Sequence, residues 1–329
     1  MSVLLSRRAL VAGGGAALAA PFVIRTAKAN SWPTRPVKFV VPFSPGGTTD
    51  LLARIVAGKL SEEYGQQIFI ENKAGAGGNI AADFVAKAEP DGYTFIVGTP
   101  GTHSINRFVF KNLTYDQDKD IAPVTVIARV ANLCSVTPSL PVKSIEELIA
   151  YCKSKPGEVL YATPGLGSTA HVSTELFKSM TGVDIVHVPY KGSAPAVTDL
   201  VAGRVHMMID NLPAVQSFAE SGAVRPLAVS TAKRWPPLAN IPTIAEAGVP
   251  GYEAASWFTI AAPAKTPPEV IGKLNASVNR FLATEEAVAQ LRKLGADPVG
   301  GSPEAMRTFV AAETEKWGKV AQFAKIAPQ

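Results

Sequence analysis

The stretch VPFSPGGTTD (residues 41–50) follows the apolar run VKFV and precedes a helical pattern, so it stands where a parallel strand hands over to a helix. A tight βα turn needs only two or three special residues. This one spends two prolines, a glycine pair and two threonines, which leaves several backbone N–H groups facing open space. Gly46 and Gly47 let the backbone approach a guest closely, and the N–H groups that follow open a helix, whose N-terminus favours an anion. Thr48 or Thr49 can cap that helix and also offer a hydroxyl. Asp50, an acid in the first turn, suits the helix dipole; pairing with a ligand amine is the alternative.

Outward from this turn, Leu51, Leu52, Ile55, Val56 and Leu60 share one face of a helix over 48–64, and Gly65 supplies the stop. The run QIFIENKA, a helix over 79–88 and the run YTFIVGT follow. Strands that are apolar throughout are buried on both faces. Such βαβαβ order implies a parallel sheet with right-handed crossovers and helices on both sides. The long segment IAPVTVIARVANLCSVTPS then leads to a second series of strands and helices, with helices over 144–154, 168–180, 195–202 and 214–220. A second long run, EAASWFTIAAPA, precedes helices over 268–283, 285–294 and 303–323. The expectation is two Rossmann-like α/β lobes joined by two crossing strands. Lobe 1 takes 30–130 and 254–329, and lobe 2, inserted in it, takes 131–253.

In open parallel sheets the ligand crevice lies beyond the carboxyl ends of the strands. The unusual loops PFSPGGTTD, ENKAGAGGN, GTPGTHS, ATPGLGSTAH, PYKGSAP and DNLPA all fall at such ends. GLGSTAH makes a second anion-friendly turn, with Ser168 as the helix N-cap. Ser168 and His171 are also spaced for a nucleophile and base on one helical turn, but a third, orienting acid is not apparent and the sequence has no G-x-S-x-G elbow, so a secreted hydrolase is the weaker reading. AGAGGNIAA imitates a dinucleotide fingerprint, but Ile80 stands where Gly or Ala is required. The four histidines (103, 171, 187 and 206) lack metal-ligand spacing. No cofactor and no metal are expected. Cys134 sits in a strand-like run and Cys152 on a helical stripe, and the sequence leaves a bridge and two buried thiols equally open.

The net charge of +5 is misplaced for a nucleic-acid binder. Four cations (Arg7, Arg8, Arg25, Lys28) and no acids lie in residues 1–29, so of the 32 Lys and Arg only 28 face 27 acids in the remainder. A near-neutral body does not advertise a phosphate partner. Residues 1–29 carry paired arginines, an apolar stretch too short to span a bilayer and the pattern Ala27-Lys28-Ala29. This reads as an export signal cleaved near Ala29. SRRAL fits the twin-arginine type, with ordinary Sec export open. The mature protein is expected in the periplasm.

VPFSPGGTTDLLAR, ENKAGAGGNIAADFVAKAEPDGYT, ATPGLGSTAHVSTELF and VPYKGSAPAVTDLVAGRVHMMID resemble the extracytoplasmic solute-binding proteins of tripartite tricarboxylate transporters, the Bug family. The resemblance runs from about Pro36 to the C-terminal helices. It implies a periplasmic-binding-protein type II fold, a Venus flytrap, with a small carboxylate between the lobes. It further implies a monomer that docks membrane permease subunits; the rival reading is a ligand-sensing receptor whose closed form docks on a signalling partner. Ligand contacts carried over from the family fall on Phe43, Ser44, Gly46, Gly47, Thr48 and Asp50. On the facing loop they fall on Gly167, Ser168, Thr169 and His171. Asn79, Thr99, Tyr190, Lys191 and Asp210 are implied as walls of the pocket. The absence of an arginine from these loops fits recognition by N–H groups and water better than a guanidinium clamp.

Overall fold

Strand β1 (Val37–Val41) pairs in parallel with β2 (Ile68–Asn72) on one side and β3 (Thr94–Gly98) on the other, setting Phe39 opposite Ile70 and Phe95. The computed structural model that gives this architecture describes residues 32–328; the expected leader and its cleavage point near Ala29 lie outside the described residues. Helix α1 (Thr48–Tyr64) starts at the Gly47 cap and buries Leu52, Ala53, Val56 and Leu60. Helix α2 (Asn79–Ala86) follows β2. After β3 comes a short π-helical turn (Gly101–Ile105) that runs into α3 (Asn106–Val109), where the sequence suggested only a loop.

The 16-residue strand β4 (Ile121–Val136) serves two sheets. Its first part lies between β9 (Ala255–Pro263) and β10 (Ala296–Gly300), antiparallel to both, and β9 closes onto β3. Its last residues, Asn132–Val136, lie between β7 (Met207–Asn211) and β8 (Arg225–Val229). On β7 follow β5 (Leu160–Thr163) and β6 (Val186–Pro189), all three parallel. Helices α4 (Ile145–Ser154), α5 (Thr169–Thr181), α6 (Ser193–Val201) and α7 (Leu212–Glu220) serve this second sheet. Helices α8 (Pro268–Leu282), α9 (Glu285–Lys293) and α10 (Pro303–Phe323) end the chain.

The chain returns from the second sheet to the first just before β9. There the Ala254 N–H donates to Ser230 O and the Ser230 N–H to Asn132 O, both at 2.9 Å. Asn132 is fully buried at this crossing and its Oδ1 accepts from Ser256 Oγ at 3.1 Å. Two crossing strands therefore join two α/β halves, as in the type II binding-protein fold. The apolar cluster of the second sheet also takes in Ile105, Val109 and Trp317 from segments flanking the first, and α10 lies across both halves.

Cys134 on β4 and Cys152 on α4 are separate buried thiols in that same cluster. Burial pushes them up to about 12 and about 11, so both stay neutral. A bridge would contribute about 3 kcal/mol. We expect melting curves with and without reductant to agree within about 1 °C, where loss of a bridge would cost several degrees; thiol titration of unfolded protein should count both.

Candidate functional site

The loops after β1, β3, β5 and β7 meet in one place, as the carboxyl ends of parallel strands require. Phe43, Gly47, Thr48, Thr49 and Thr99 line it from the first half. Pro164, Ser168, Thr169, Ala170, Ser193, Asp210 and Asn211 line it from the second, and Phe258 of β9 forms part of the wall. The enclosed cavity is small, about 20 Å³, on the order of one water molecule. It adjoins a crevice of about 240 Å³ between Gly75–Gly77 and Gly165–Leu166, which shares Phe43 and Pro164 with it and reaches out to Tyr190 and Lys191.

Four helix starts contribute to the lining: Thr48 and Thr49 open α1, Thr169 and Ala170 open α5, Ser193 opens α6, and Asn211 caps α7. The first N–H groups of a helix have no partner inside it, and each start carries partial positive charge. Gly47 offers α1 no side-chain cap, whereas the Ser168 hydroxyl accepts from the His171 N–H at 3.2 Å. Among the described residues the lining includes no Lys and no Arg. Against this donor-rich wall stand several buried side-chain oxygens with no partner: Thr48 Oγ1, Thr99 Oγ1, Asn211 Oδ1 and both carboxylate oxygens of Asp210. Buried polar atoms in native proteins nearly always find partners. Their convergence on one cavity marks a place built for a polar guest.

The two halves touch at the rim. The Ser44 N–H donates to Lys191 O at 3.0 Å, and Gly192 lies so close that an added Cβ would sit 2.1 Å from Ser44 Oγ. Gly77 (φ +60°) lies equally close to the opposite loop, its added Cβ 2.1 Å from Leu166 O. Asn106 Nδ2 steadies Gly77 by donating to its carbonyl at 3.0 Å, and donates at 2.5 Å to Asn79 Oδ1.

The residues expected from the sequence thus divide into three groups. Phe43, Gly47, Thr48, Thr99, Ser168, Thr169 and Asp210 come together at the cavity. Ser44, Tyr190 and Lys191 stand at the rim, Gly167 packs against Asn106 and Phe110 of the first half, and Asn79 supports the rim through Asn106. Gly46 is exposed at the rim, where an added Cβ would meet Ala194 of the second half at 3.6 Å, whereas Asp50 and His171 are buried behind the wall. The Asp50 carboxylate accepts from the Gly46 N–H at 3.0 Å, from Arg54 at 2.8 and 3.0 Å, and from Asn72 Nδ2 at 3.0 Å. The His171 ring stacks on His187 at 4.7 Å, and its Nδ1 accepts from the Gly167 N–H at 3.4 Å. Burial lowers both imidazoles to about 4, so they are neutral at pH 7. With the Ser168 hydroxyl used as a helix cap and the His171 ring turned to its stack, the nucleophile–base pair weighed from the sequence is not formed among the described residues.

Thr49 joins the cavity residues, having been offered only as the alternative to Thr48, while Pro164, Ala170, Ser193, Asn211 and Phe258 were not singled out. Ser193 had a signal: it is the first helical residue after PYKG, the same arrangement that singled out Thr48. Phe258 had none, since it sits mid-strand in an apolar run.

A two-halved α/β clamshell with a donor-rich polar cavity at the seam defines a solute-binding protein of the type II class. Residues 52–326 match the model of the Tripartite tricarboxylate transporter family receptor, and the chain belongs to that family of periplasmic solute-binding proteins. It is 38% identical over 312 residues to Protein BugT of Bordetella pertussis, covering 94% of this chain and 96% of that one. Among solved structures it is similar to R. palustris Rpa4515 with adipate (58% identity, TM-score 0.89, covering 91% of this chain and 100% of the other). It is also similar to MatC from Rhodopseudomonas palustris with bound malate (35% identity, TM-score 0.84, 88% and 99% covered).

Proposed function

We propose that this protein captures a small dicarboxylate in the cavity between its lobes and delivers it to the membrane subunits of a tripartite tricarboxylate-type transporter. The observation that carries the reading is the meeting of four helix starts with the unpartnered oxygens of Thr48, Thr99, Asn211 and Asp210 in one small cavity. The adipate and malate of the two related structures support a dicarboxylate in particular. The lobes divide at 130/131 and 253/254, where β4 and the segment before β9 cross. The ligand first meets the loop around Gly47 and Thr48; the loop at Ser168 then folds over it by a hinge at the crossings. Closure follows because donors from both lobes reach the guest only in the closed form. The chain acts as a monomer in the periplasm, its leader removed near Ala29.

Thermal unfolding of ligand-stripped protein against C4 to C6 dicarboxylates, tricarboxylates, amino acids and aromatic acids tests this. A true ligand at about 100 times its Kd stabilises by about 2.7 kcal/mol, a rise of about 5 °C for a chain of this size. A flat response across the panel would overturn the reading.

A further inference from the structure

Among the described residues Asp210 is the one charged side chain in the lining, and the function just proposed does not account for it. It sits at the carboxyl end of β7, paired across the ladder with Leu133, and has no exposed surface. Neither oxygen has a hydrogen-bond partner. The Ser193 hydroxyl and the Asn211 N–H ease its charge from nearby, but burial outweighs them and lifts it to about 6. No lining cation balances it. A guest carboxylate that puts one oxygen into this water-sized space brings a second negative charge against the first, and two carboxylates at such range do not both stay ionised. One arrangement satisfies all the groups. The guest's carboxyl takes N–H donors from the helix starts, and a proton lies between it and Asp210.

We propose that Asp210 is the specificity-determining residue of the cleft, and that it and the ligand's inner carboxyl hold one proton between them, so that a dicarboxylate is bound as its hydrogen salt. This rests on the dicarboxylate reading above. Proton transfer involves no other group: at pH 8 the free ligand is a dianion and Asp210 an anion, and binding takes one proton from solvent.

The other ionisable groups on the elements packed around β7 leave the window clear. On α5, His171 is held at about 4, and the Glu175 carboxylate, partnered by Lys178 and Tyr161, is lowered despite its burial. His187 on β6 and His103 beside the Thr99 loop are likewise held at about 4 by burial. Asp199 on α6 is lowered by Tyr190 and Arg204, and Asp50 on α1 is lowered by the Arg54, Gly46 and Asn72 bonds that outweigh its burial. Among the described residues that line the cavity, Asp210 is the ionisable one, raised by burial to about 6.

Calorimetric titration with adipate from pH 5.5 to 8, in buffers of different ionisation enthalpy, tests the inference. For the native protein we expect uptake of about one proton per ligand at pH 8, and affinity falling about tenfold per pH unit above about pH 6.5. In Asp210→Asn, which keeps the shape but cannot share a proton between acids, the slope should disappear. Zero proton uptake with pH-independent affinity in the native protein would overturn the inference while leaving the dicarboxylate reading intact. Absence of binding at every pH, for adipate and for malate, would instead overturn the reading it rests on. Should Asp210→Asn fail to fold, the proton count of the native protein alone decides.

Discussion

Gly77→Ala should weaken dicarboxylate binding by at least about a hundredfold, equivalent to about 2.7 kcal/mol, while leaving the ligand-free fold nearly as stable. The added methyl would sit 2.1 Å from the backbone oxygen of Leu166 and 3.2 Å from Phe110 Cε2. A backbone oxygen cannot swing aside as a long side chain can, so the loops at Gly77 and Leu166 must part. Once they part, the second lobe's helix starts no longer reach a guest seated on the first. The substitution also carries a local cost of about 1 kcal/mol for an L-residue in the left-handed region. Gly65→Ala isolates that cost: Gly65 has φ +62° at the end of α1, with nothing within 4 Å of the added carbon. Both variants should lower the melting temperature by similar small amounts, but only Gly77→Ala should lose affinity. Small-angle scattering supplies an independent readout, because ligand should compact the native protein and Gly65→Ala but not Gly77→Ala. If Gly77→Ala bound within threefold of the native protein and still compacted, closure across this seam would not be what holds the ligand.

How much of this could be read from the chain depends on how local the cause was. Helix α1 matches the expected 48–64 at both ends because its start and stop are written in adjacent residues, Gly47 and Gly65. The loops at the strand ends were legible for the same reason: Gly and Pro punctuate them wherever they lie in space. The π-helical turn at Gly101–Ile105 was not. Its Gly, Pro and Thr residues read as loop, and what winds it is distant. Tyr115 Oη and Gln117 Nε2 both donate to Thr102 O at 2.9 Å, and His103 Nε2 pairs with Thr259 Oγ1 at 3.0 Å. The site divided in the same way. Thr48 and Ser168 stood out as helix openers, whereas Phe258 reaches the cavity only because β9 crosses between β3 and β4. For Asp50 the sequence offered two roles, dipole partner or ligand partner. Three of its hydrogen bonds come from residues within four positions, but the fourth comes from Asn72, at the end of the neighbouring strand. That last bond ties the loop after β1 to the loop after β2, a function that no local pattern announces.

Asp50→Ala is accordingly the substitution expected to cost the fold most. The native carboxylate is 3% exposed and fully used by Arg54, Gly46 and Asn72. Its removal takes the acceptor from Arg54 and from the Gly46 N–H, and leaves the part-buried Asn72 amide with only Phe43 O. The Arg54 guanidinium, half-exposed, recovers part of its loss in water, so the estimate lies at the low end for a broken buried pair, about 3 kcal/mol. For a chain of this length that is a fall in melting temperature of about 6 °C. The pH dependence has a definite sign. Burial works to raise the Asp50 pKa, but the bonds from Arg54, Gly46 and Asn72 outweigh it and leave it below its ordinary value of 3.8. A depressed carboxylate stabilises the native state fully above its unfolded pKa and loses that contribution as pH falls through the folded one. The gap between native protein and Asp50→Ala should therefore be full at pH 7 and narrow only below about pH 4. Denaturant unfolding at pH 7 and at pH 3 measures it. A gap that stayed constant with pH would mean the loss came from packing at the α1 start and not from the charge. Because the Gly46 N–H loses its acceptor, Asp50→Ala should also loosen the Gly46–Gly47 turn and weaken ligand binding, although Asp50 touches no ligand. Asp50→Asn, which preserves size and one acceptor, should recover part of the stability and most of the affinity, a ranking that a direct ligand contact by the carboxylate would reverse.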